Sequence, residues 1–330
     1  MYFFQDYNKT PLILAPLAGV SDYPFRLICQ EQGANLTYVE MISCAALIHH
    51  NEQTLHMMER HIDESNLGLQ LTARSPEEMG RACELALQKY NYDTIDINMG
   101  CPVKKVTNGD AGSALMKNEK LAGEILSSVV KAVKIPVTLK IRMGWDDSSK
   151  NAPAIAKIAE DSGIKALAVH GRTRCQFFKG NADWKYIQKV VSAVKIPVFG
   201  NGDINTVEDA KEMLIRSHSV GALIGRGTYG RPWFPKQVST YLKTGIRLPA
   251  PSIIEQRNVV MTHYDSMLNH YGTERGIRIA RKHLGWYSKG YPKSAEFRAD
   301  IMKLDSPKRV LSLINDFYNQ SAERLQRNEQ

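Results

Sequence analysis

The sequence lacks the features that mark several classes of protein. Its five cysteines are odd in number and form no CxxC pair, which argues against a disulfide framework or a structural zinc site and favours a reducing compartment. The N-terminus has no basic region followed by an apolar one, so we expect no signal peptide. No apolar run approaches the length of a membrane span. We therefore predict a cytoplasmic protein with no membrane segment and no metal.

The charge is unevenly distributed along the chain. The net charge is +9 and the pI is about 9.2, which suggests a polyanionic partner. From Ile246 onward there are 14 Lys and Arg residues against 9 Asp and Glu residues. More than half of the excess positive charge therefore lies in the last quarter of the chain, so that quarter is the first candidate for a polyanion-binding surface.

Eight short apolar runs recur, and each is followed by a helical pattern. The runs are Leu12–Ala15, Leu36–Glu40, Leu67–Thr72, Thr94–Asn98, Val137–Arg142, Ala166–His170, Val198–Asn201 and Ala222–Ile224. Strands that alternate with helices imply a parallel sheet, and eight repeats are typical of a (β/α)₈ TIM barrel. A doubly wound sheet is the alternative, but no GxGxxG sequence follows the first strand.

The pattern changes after Tyr241. A stretch with Pro249-Ala250-Pro251 is typical of a linker. Three helices are predicted beyond it, over Ile253–Tyr271, Glu274–Tyr287 and Pro307–Gln326. In the second, an apolar stripe recurs at helical spacing through Ile277, Ala280, Leu284 and Tyr287. We predict a barrel domain over residues 1–243, a linker over 244–252 and a small all-helical domain over 253–330.

The stretch Asp96–Pro102 joins a strand to a thiol. Alternation in Thr94–Asn98 places Asp96 and Asn98 on one face. Gly100 and Pro102 then end the strand, which leaves Cys101 on the turn. A lone cysteine is usually a small buried hydrophobe, so only its context points to a chemical role.

That context is the set of polar residues at the predicted strand ends, where TIM barrels place their chemistry. These residues are Gln70, Thr72, Lys140, Arg142, His170, Asn201-Gly202-Asp203 and Gly225-Arg226-Gly227. Inward-facing cations are costly unless they are paired or bind an anion. The last two loops resemble the phosphate site that TIM barrels place after strands seven and eight. The glycines could instead serve tight turns, Lys140 could pair with Asp96 or Glu40, and His170 could be a satisfied core histidine.

A phosphate site with an inward cation is well suited to flavin mononucleotide (FMN). A cation near the N1–C2 region would stabilise the reduced, anionic flavin ring. Spacing alone does not name the ligand, and a Schiff-base aldolase that uses Lys140 is a second interpretation.

Several motifs, in this order, resemble those of the tRNA-dihydrouridine synthases, most closely the bacterial B-type subfamily. They are Ala15–Asp22, Asp96–Pro102 with Lys104-Lys105-Val106, Lys140–Trp145, His170–Thr173, Asn201–Ile204, Gly225–Gly227 and Arg278–His283. The resemblance runs from about residue 11 into the C-terminal helices. It implies FMN-dependent reduction, with NADPH, of the C5=C6 bond of D-loop uridines in tRNA.

The resemblance also implies roles for individual residues. The implied flavin contacts are Pro16, Leu17, Ala18, Gln70, Lys140, His170, Asn201, Gly202, Asp203, Gly225 and Arg226. It implies that hydride passes from flavin N5 to uracil C6 and that Cys101 gives a proton to C5, with Asn98 against the uracil. Our other candidates for substrate contacts, chosen for charge, are Arg142, Lys104, Lys105, Arg275, Arg278, Arg281 and Lys282. A thiol of ordinary pKa, about 8.5, is mostly protonated near neutrality and can serve as the acid.

Two alternatives from other functional classes stay open. An FMN-dependent oxidoreductase of a small molecule would explain the barrel but not the basic C-terminal helices. An RNA-binding module without activity would leave the Asn98 and Cys101 pair unexplained. We expect a monomer whose partner is tRNA.

Overall fold

The computed structural model describes residues 10–328, so the outermost parts of the predicted domains, residues 1–9 and 329–330, lie outside it. The strands are β1 (Leu12–Leu14), β2 (Thr37–Tyr38), β3 (Ile42–Ser43), β4 (Leu67–Thr72), β5 (Thr94–Met99), β6 (Val137–Arg142), β7 (Ala166–His170), β8 (Val198–Asn201) and β9 (Gly221–Ile224). Sheet neighbours run parallel in the order β1, β9, β8, β7, β6, β5, β4 and β2, with β3 also on β4. A parallel Ile13–Leu36 bridge joins the two ends. The predicted barrel is confirmed.

One barrel position differs from the predicted strand Leu36–Glu40, because two short strands fill it. β2 pairs with the start of β4 and β3 with its end. Between them the chain leaves the ladder, and the Glu40 carboxylate accepts a hydrogen bond from the backbone N–H of Gly19. The interruption therefore serves a contact between two loops near the mouth of the barrel.

Helices cover the outside of the barrel. They are α1 (Tyr23–Glu31), α2 (Cys44–Ile48), α3 (Glu52–Met57), α4 (Pro76–Lys89), α5 (Lys104–Thr107), α6 (Glu119–Ala132), α7 (Ala152–Asp161), α8 (Trp184–Val191), α9 (Val207–Ser217) and α10 (Phe234–Thr244). Local sequence explains where they begin: Ser75 caps α4 ahead of Pro76, and Thr206 with Asp209 forms a capping box on α9. Two 3₁₀ helices also occur, over Gly112–Lys117 and Arg226–Thr228.

The C-terminal part is helical, as predicted. Its helices are α11 (Ile253–Tyr271), α12 (Thr273–Tyr287), α13 (Ser294–Ile301) and α14 (Pro307–Asn328). The predicted stripe of α12 is buried in a core of its own, which Trp233 joins from the barrel side. Within residues 10–328, no helix combines the length and apolarity needed to cross a membrane. Helix α13 is not among the three helices predicted for this part of the chain.

Candidate active site

A cavity of about 300 Å³ opens at the C-terminal ends of the barrel strands. It is lined by every residue predicted to contact the flavin, and also by Asn98, Cys101 and Arg142. These residues come from seven separate stretches of chain, which the barrel brings together because parallel strands all end at one rim. The structure thus assembles the predicted cofactor site and the predicted catalytic turn around one space.

A chain of hydrogen bonds fixes the turn that carries Cys101. Gln70 Nε2 donates to Asp96 at 2.7 Å, and Asn98 Nδ2 donates to Gln70 Oε1 at 2.8 Å. Asn98 Oδ1 in turn accepts from the backbone N–H of Cys101 at 2.9 Å. The side chain of Asn98 therefore links the floor of the barrel to the turn. Its second N–H hydrogen makes no bond within residues 10–328 and remains free for a ligand.

The Cys101 side chain is half-buried at the edge of the cavity. Its carbonyl accepts a hydrogen bond of 2.8 Å from the Ser113 hydroxyl. Gly112 approaches so closely, with φ of +60°, that a side chain there would meet the Cys101 Cβ at 3.2 Å. The thiol itself has no hydrogen-bond partner among the described residues. The thiol therefore lies on a fixed turn at the cavity edge and is not part of the core.

Lys140 projects into the cavity without a protein partner. Over residues 10–328 its ammonium has no hydrogen bond or ion pair, so the alternative of a core pair with Asp96 or Glu40 is wrong. Burial, assisted by the Arg142 guanidinium, lowers the pKa of Lys140 to about 8. Burial also raises the pKa of Asp96 to about 6. A half-buried cation with no such partner among residues 10–328 fits an anionic or electron-rich ligand.

Arg142 lies on the same strand, and backbone carbonyls engage its Nε and Nη1 donors. Its guanidinium, 2% exposed, donates to the carbonyls of Gly100 at 2.8 Å, Thr173 at 2.9 Å and Phe177 at 2.8 Å. It thereby ties the Cys101 turn to the loop after β7. These contacts show a structural role for Arg142, whereas its predicted contact with substrate stays a prediction.

His170 is held neutral at the end of β7. Burial lowers its pKa well below the usual range, and the nearby cations Arg142, Lys140 and Arg172 lower it further. Its Nε2 lies 3.4 Å from an Arg172 nitrogen. Arginine can only donate, so this contact needs an unprotonated Nε2 and leaves the hydrogen on Nδ1. The ring is thus set as a neutral, oriented group beside the cavity.

The loops after β7 and β8 share a network of charges. Arg172 donates twice to the Asp203 carboxylate, at 2.8 and 2.5 Å, and Arg226 approaches it at 3.4 Å. Burial alone would raise the pKa of Asp203, but Arg172 and the backbone N–H of Ala182 bring it below its usual value. At Gly202 a Cβ would lie 2.8 Å from the His170 ring, so only glycine fits there. Arg226 is the most exposed member of the network.

Two residues of this rim were not chosen from the sequence. Arg172 stands in a quoted motif, His170–Thr173, but its pairing with Asp203 depends on the fold. Phe178 is 51% exposed, and its ring centroid lies 4.8 Å from the Arg226 guanidinium and 5.5 Å from that of Arg142. No sequence signal distinguishes Phe178 from other loop aromatics, because its position depends on the two arginines.

The predicted basic contacts fall into two groups. Lys104 and Lys105 are exposed beside the catalytic turn, and Arg275 and Arg278 are exposed on α12. The other two face the protein: Arg281 donates to the carbonyl of Leu304 at 3.0 Å, and Lys282 donates to that of Gly19. The side chain of Lys282 therefore contacts the barrel.

A wide groove of about 1120 Å³ adjoins the cavity, between the barrel rim and the C-terminal helices. It shares Phe178, Asp203 and Arg226 with the cavity. Its lining combines cations with aromatic rings, namely Arg172, Arg226, Arg231, Lys289, Phe178, Tyr229, Trp286 and Tyr291. Cations interleaved with aromatic faces are typical of single-stranded nucleic-acid grooves.

Comparison with known proteins agrees with this geometry. The model of the dihydrouridine synthase family matches residues 13–323. The chain belongs to this family. A probable tRNA-dihydrouridine synthase of Rickettsia bellii is 49% identical over 93% of this chain and 94% of that protein. The tRNA-dihydrouridine synthase B of Xanthomonas campestris pv. campestris is 44% identical over 93% and 92%.

A solved structure supports the fold alone. Histamine dehydrogenase from Rhizobium sp. 4-9 superposes with a TM-score of 0.55 at 11% identity, covering 77% of this chain and 48% of that one. The chain thus spans about half of that protein. Family membership confirms the predicted enzyme class, a flavin-dependent oxidoreductase.

Proposed function

We propose that this enzyme reduces the C5=C6 bond of D-loop uridines in tRNA, with FMN as cofactor and NADPH as reductant. The observation that carries the proposal is the joining of two features at one cavity: the hydrogen-bonded turn that carries Cys101, and the half-buried Lys140, which makes no hydrogen bond or ion pair with residues 10–328. The names of the relatives, tRNA-dihydrouridine synthases, support the choice of substrate.

The residues present fit FMN. Lys140 supplies the cation that an electron-rich ring requires, and one N–H of Gln70 makes no hydrogen bond within the described residues. On the opposite side Arg226 would hold the phosphate, with the small residues Gly202 and Gly225 leaving room for it. When bound, reduced FMN supplies the hydride that uracil C6 receives.

Cys101 would supply the proton that completes the reduction. Addition of hydride to C6 leaves negative charge toward C5 and O4 of the uracil, and a positioned acid must then protonate C5. The turn places Cys101 at the cavity edge, where it can face a base lying against the flavin. Asn98 fixes the turn and offers its free N–H to the base.

The target base must leave its stack to enter the cavity, at a cost of a few kcal/mol. We infer that the neighbouring groove offsets that cost through stacking and phosphate contacts. Lys104, Lys105, Arg275 and Arg278 extend this positive surface.

We further infer a division of labour within a monomer that acts in the cytoplasm. Residues 1–243 would carry the chemistry and residues 253–330 the docking of tRNA. A break without helix or strand, residues 245–252, separates α10 from α11. Sedimentation of the protein with and without tRNA tests the monomer: a complex with two protein chains would contradict it.

The direct test of the mechanism is Cys101→Ala. We expect a protein that still binds flavin and is still reduced by NADPH, but whose turnover of tRNA falls about 10²–10⁴-fold, because general acid catalysis is lost. The matched control is Cys175→Ala, which removes an exposed thiol from the loop after β7. Full turnover by Cys101→Ala would remove Cys101 from the mechanism.

A further inference from the structure

The loop between β1 and α1 forms one wall of the flavin cavity through Ala15, Pro16, Leu17 and Ala18. Behind this wall the chain makes a tight turn, in which the N–H of Val20 donates to the carbonyl of Leu17 at 2.9 Å. The turn passes through Gly19, whose φ of +72° favours glycine. The shape of the wall therefore depends on what holds the turn.

The turn is held from two sides. On the barrel side, the N–H of Gly19 donates to the Glu40 carboxylate. On the helical side, the Lys282 ammonium of α12 donates to the carbonyl of Gly19. The hydroxyl of Tyr271, at the end of α11, donates to Asp22 at 2.9 Å. Side chains of two C-terminal helices, Tyr271 and Lys282, thus hold a loop that lines the cofactor site.

The electrostatics favour these contacts. Asp22 and Glu40 are only 5% and 9% exposed, and buried carboxylates need partners. Arg26 also lowers the pKa of both carboxyl groups, but its guanidinium is committed to Glu64 at 2.6 Å. Burial raises the pKa of both Asp22 and Glu40, while the Lys282 ammonium lowers both. Lys282 is therefore placed to compensate this buried negative charge.

We propose that Lys282 and Tyr271 are positioning residues that hold the β1–α1 loop in its flavin-binding shape. The C-terminal helices then contribute to the flavin site as well as to docking of tRNA. This inference rests on the proposed function, and it gives Lys282 a different task from the phosphate contact expected from its charge alone.

The test compares Lys282→Met with Lys303→Met. Lys303 lies just after α13, is 74% exposed and pairs only with Asp300 within the described residues, so it controls for loss of a surface lysine. We expect Lys282→Met to raise the dissociation constant of FMN about tenfold, because a charge-assisted hydrogen bond is lost. The salt dependence of tRNA binding should stay at the wild-type slope. Lys303→Met should match the wild type in both measurements.

Two further variants guard against simple misfolding. Lys282→Arg keeps a cationic donor, so it should restore most of the FMN affinity. Tyr271→Phe removes one hydroxyl, so it should weaken FMN binding about threefold. If neither Lys282→Met nor Tyr271→Phe alters FMN binding, the proposal is wrong.

A tRNA contact would give the opposite pattern. Lys282→Met would then lower the salt slope of tRNA binding by about one and leave FMN binding unchanged, which would also overturn the proposal. A wild-type protein that takes up no FMN would instead overturn the proposed function itself, so the two failures are distinguishable.

Discussion

The two sides of the barrel mouth are built on different principles. On the side of β4 to β6, uncharged groups join Gln70, Asn98 and the Cys101 turn to a single carboxylate, Asp96. On the side of β7 to β9, charges neutralise one another, with Asp203 held by Arg172 and Arg226. The first side fixes the geometry of the Cys101 turn, and its Lys140 makes no hydrogen bond or ion pair with any residue in the range 10–328.

We interpret this difference as a division of roles: the side of β4 to β6 would carry the reduction, and the side of β7 to β9 would anchor the cofactor. The Cys101 turn is held by the Asn98 amide and by the Arg142 guanidinium, which donates to the carbonyl of Gly100. On the proposed function, such a fixed turn would keep its position as charge develops beside it, which is the preorganisation that catalysis requires. A network of paired charges can exchange one partner for another. On the proposed function, an incoming phosphate would take Arg226 while Arg172 keeps Asp203, because Arg172 makes the shorter contacts.

The largest effect should come from Lys140→Met, which removes the free cation of the first side. We expect reduction of bound flavin by NADPH to slow about 10²–10³-fold, because the variant lacks the cation that we propose stabilises the anionic ring. Stopped-flow absorbance measures this rate, with the exposed Lys131→Met as control. An unchanged rate would mean that Lys140 serves only packing.

The dependence of flavin affinity on pH distinguishes the charge of Lys140 from its packing. The pKa of Lys140 is lowered to about 8, so the side chain is charged below that pH and loses its charge above it. Affinity for flavin should therefore fall as pH rises through 8, by up to about tenfold per pH unit. In Lys140→Met the profile should be flat.

Asn98→Ala should break the geometry of the same side without removing a charge. The Cys101 turn loses the acceptor that fixes its backbone, and a displaced acid costs about 10²-fold in turnover of tRNA. Reduction of flavin by NADPH should fall much less, since that step does not use the turn. Equal losses in the two steps would show that Asn98 acts on the flavin instead.

The smallest effect is expected from a substitution on the side of β7 to β9. Arg226→Met should weaken FMN binding about tenfold, because one charge-assisted contact to phosphate is lost. Riboflavin, which has no phosphate, is the internal control and should bind wild type and variant alike in a fluorescence titration. Equal weakening of both ligands would place Arg226 away from the phosphate.

Most of the barrel could be predicted because local chemistry specifies it. The eight apolar runs lie within a few residues of the observed strands, and the repeated sequence Ala-Val-Lys-Ile-Pro-Val leads into both β6 and β8. The second strand was predicted as one run, Leu36–Glu40, whereas the structure has β2 inside that run and β3 just after it. The break could not be predicted, because it depends on Glu40 reaching Gly19, a contact across the fold. Helix α13 was missed because no side chain caps its start at Lys293 and its apolar stripe is weak.

The site residues at the ends of strands could be predicted from the sequence, whereas contacts made by loops and C-terminal helices could not. Cys101, Asn98, Gln70 and Lys140 follow from the alternation of strands and the rule for barrel mouths. The pairing of Arg172 with Asp203 and the inward contact of Lys282 depend on loops and helices meeting in space. A charged residue looks the same in a sequence whether it faces solvent, a partner or a ligand.

The most direct test of the central claim is site-resolved mapping of dihydrouridine in tRNA from a strain that lacks this protein. We predict that dihydrouridine disappears at D-loop positions, and that it returns with the wild-type protein or Cys175→Ala but not with Cys101→Ala. Unchanged dihydrouridine in the deletion strain, or full restoration by Cys101→Ala, would contradict the account.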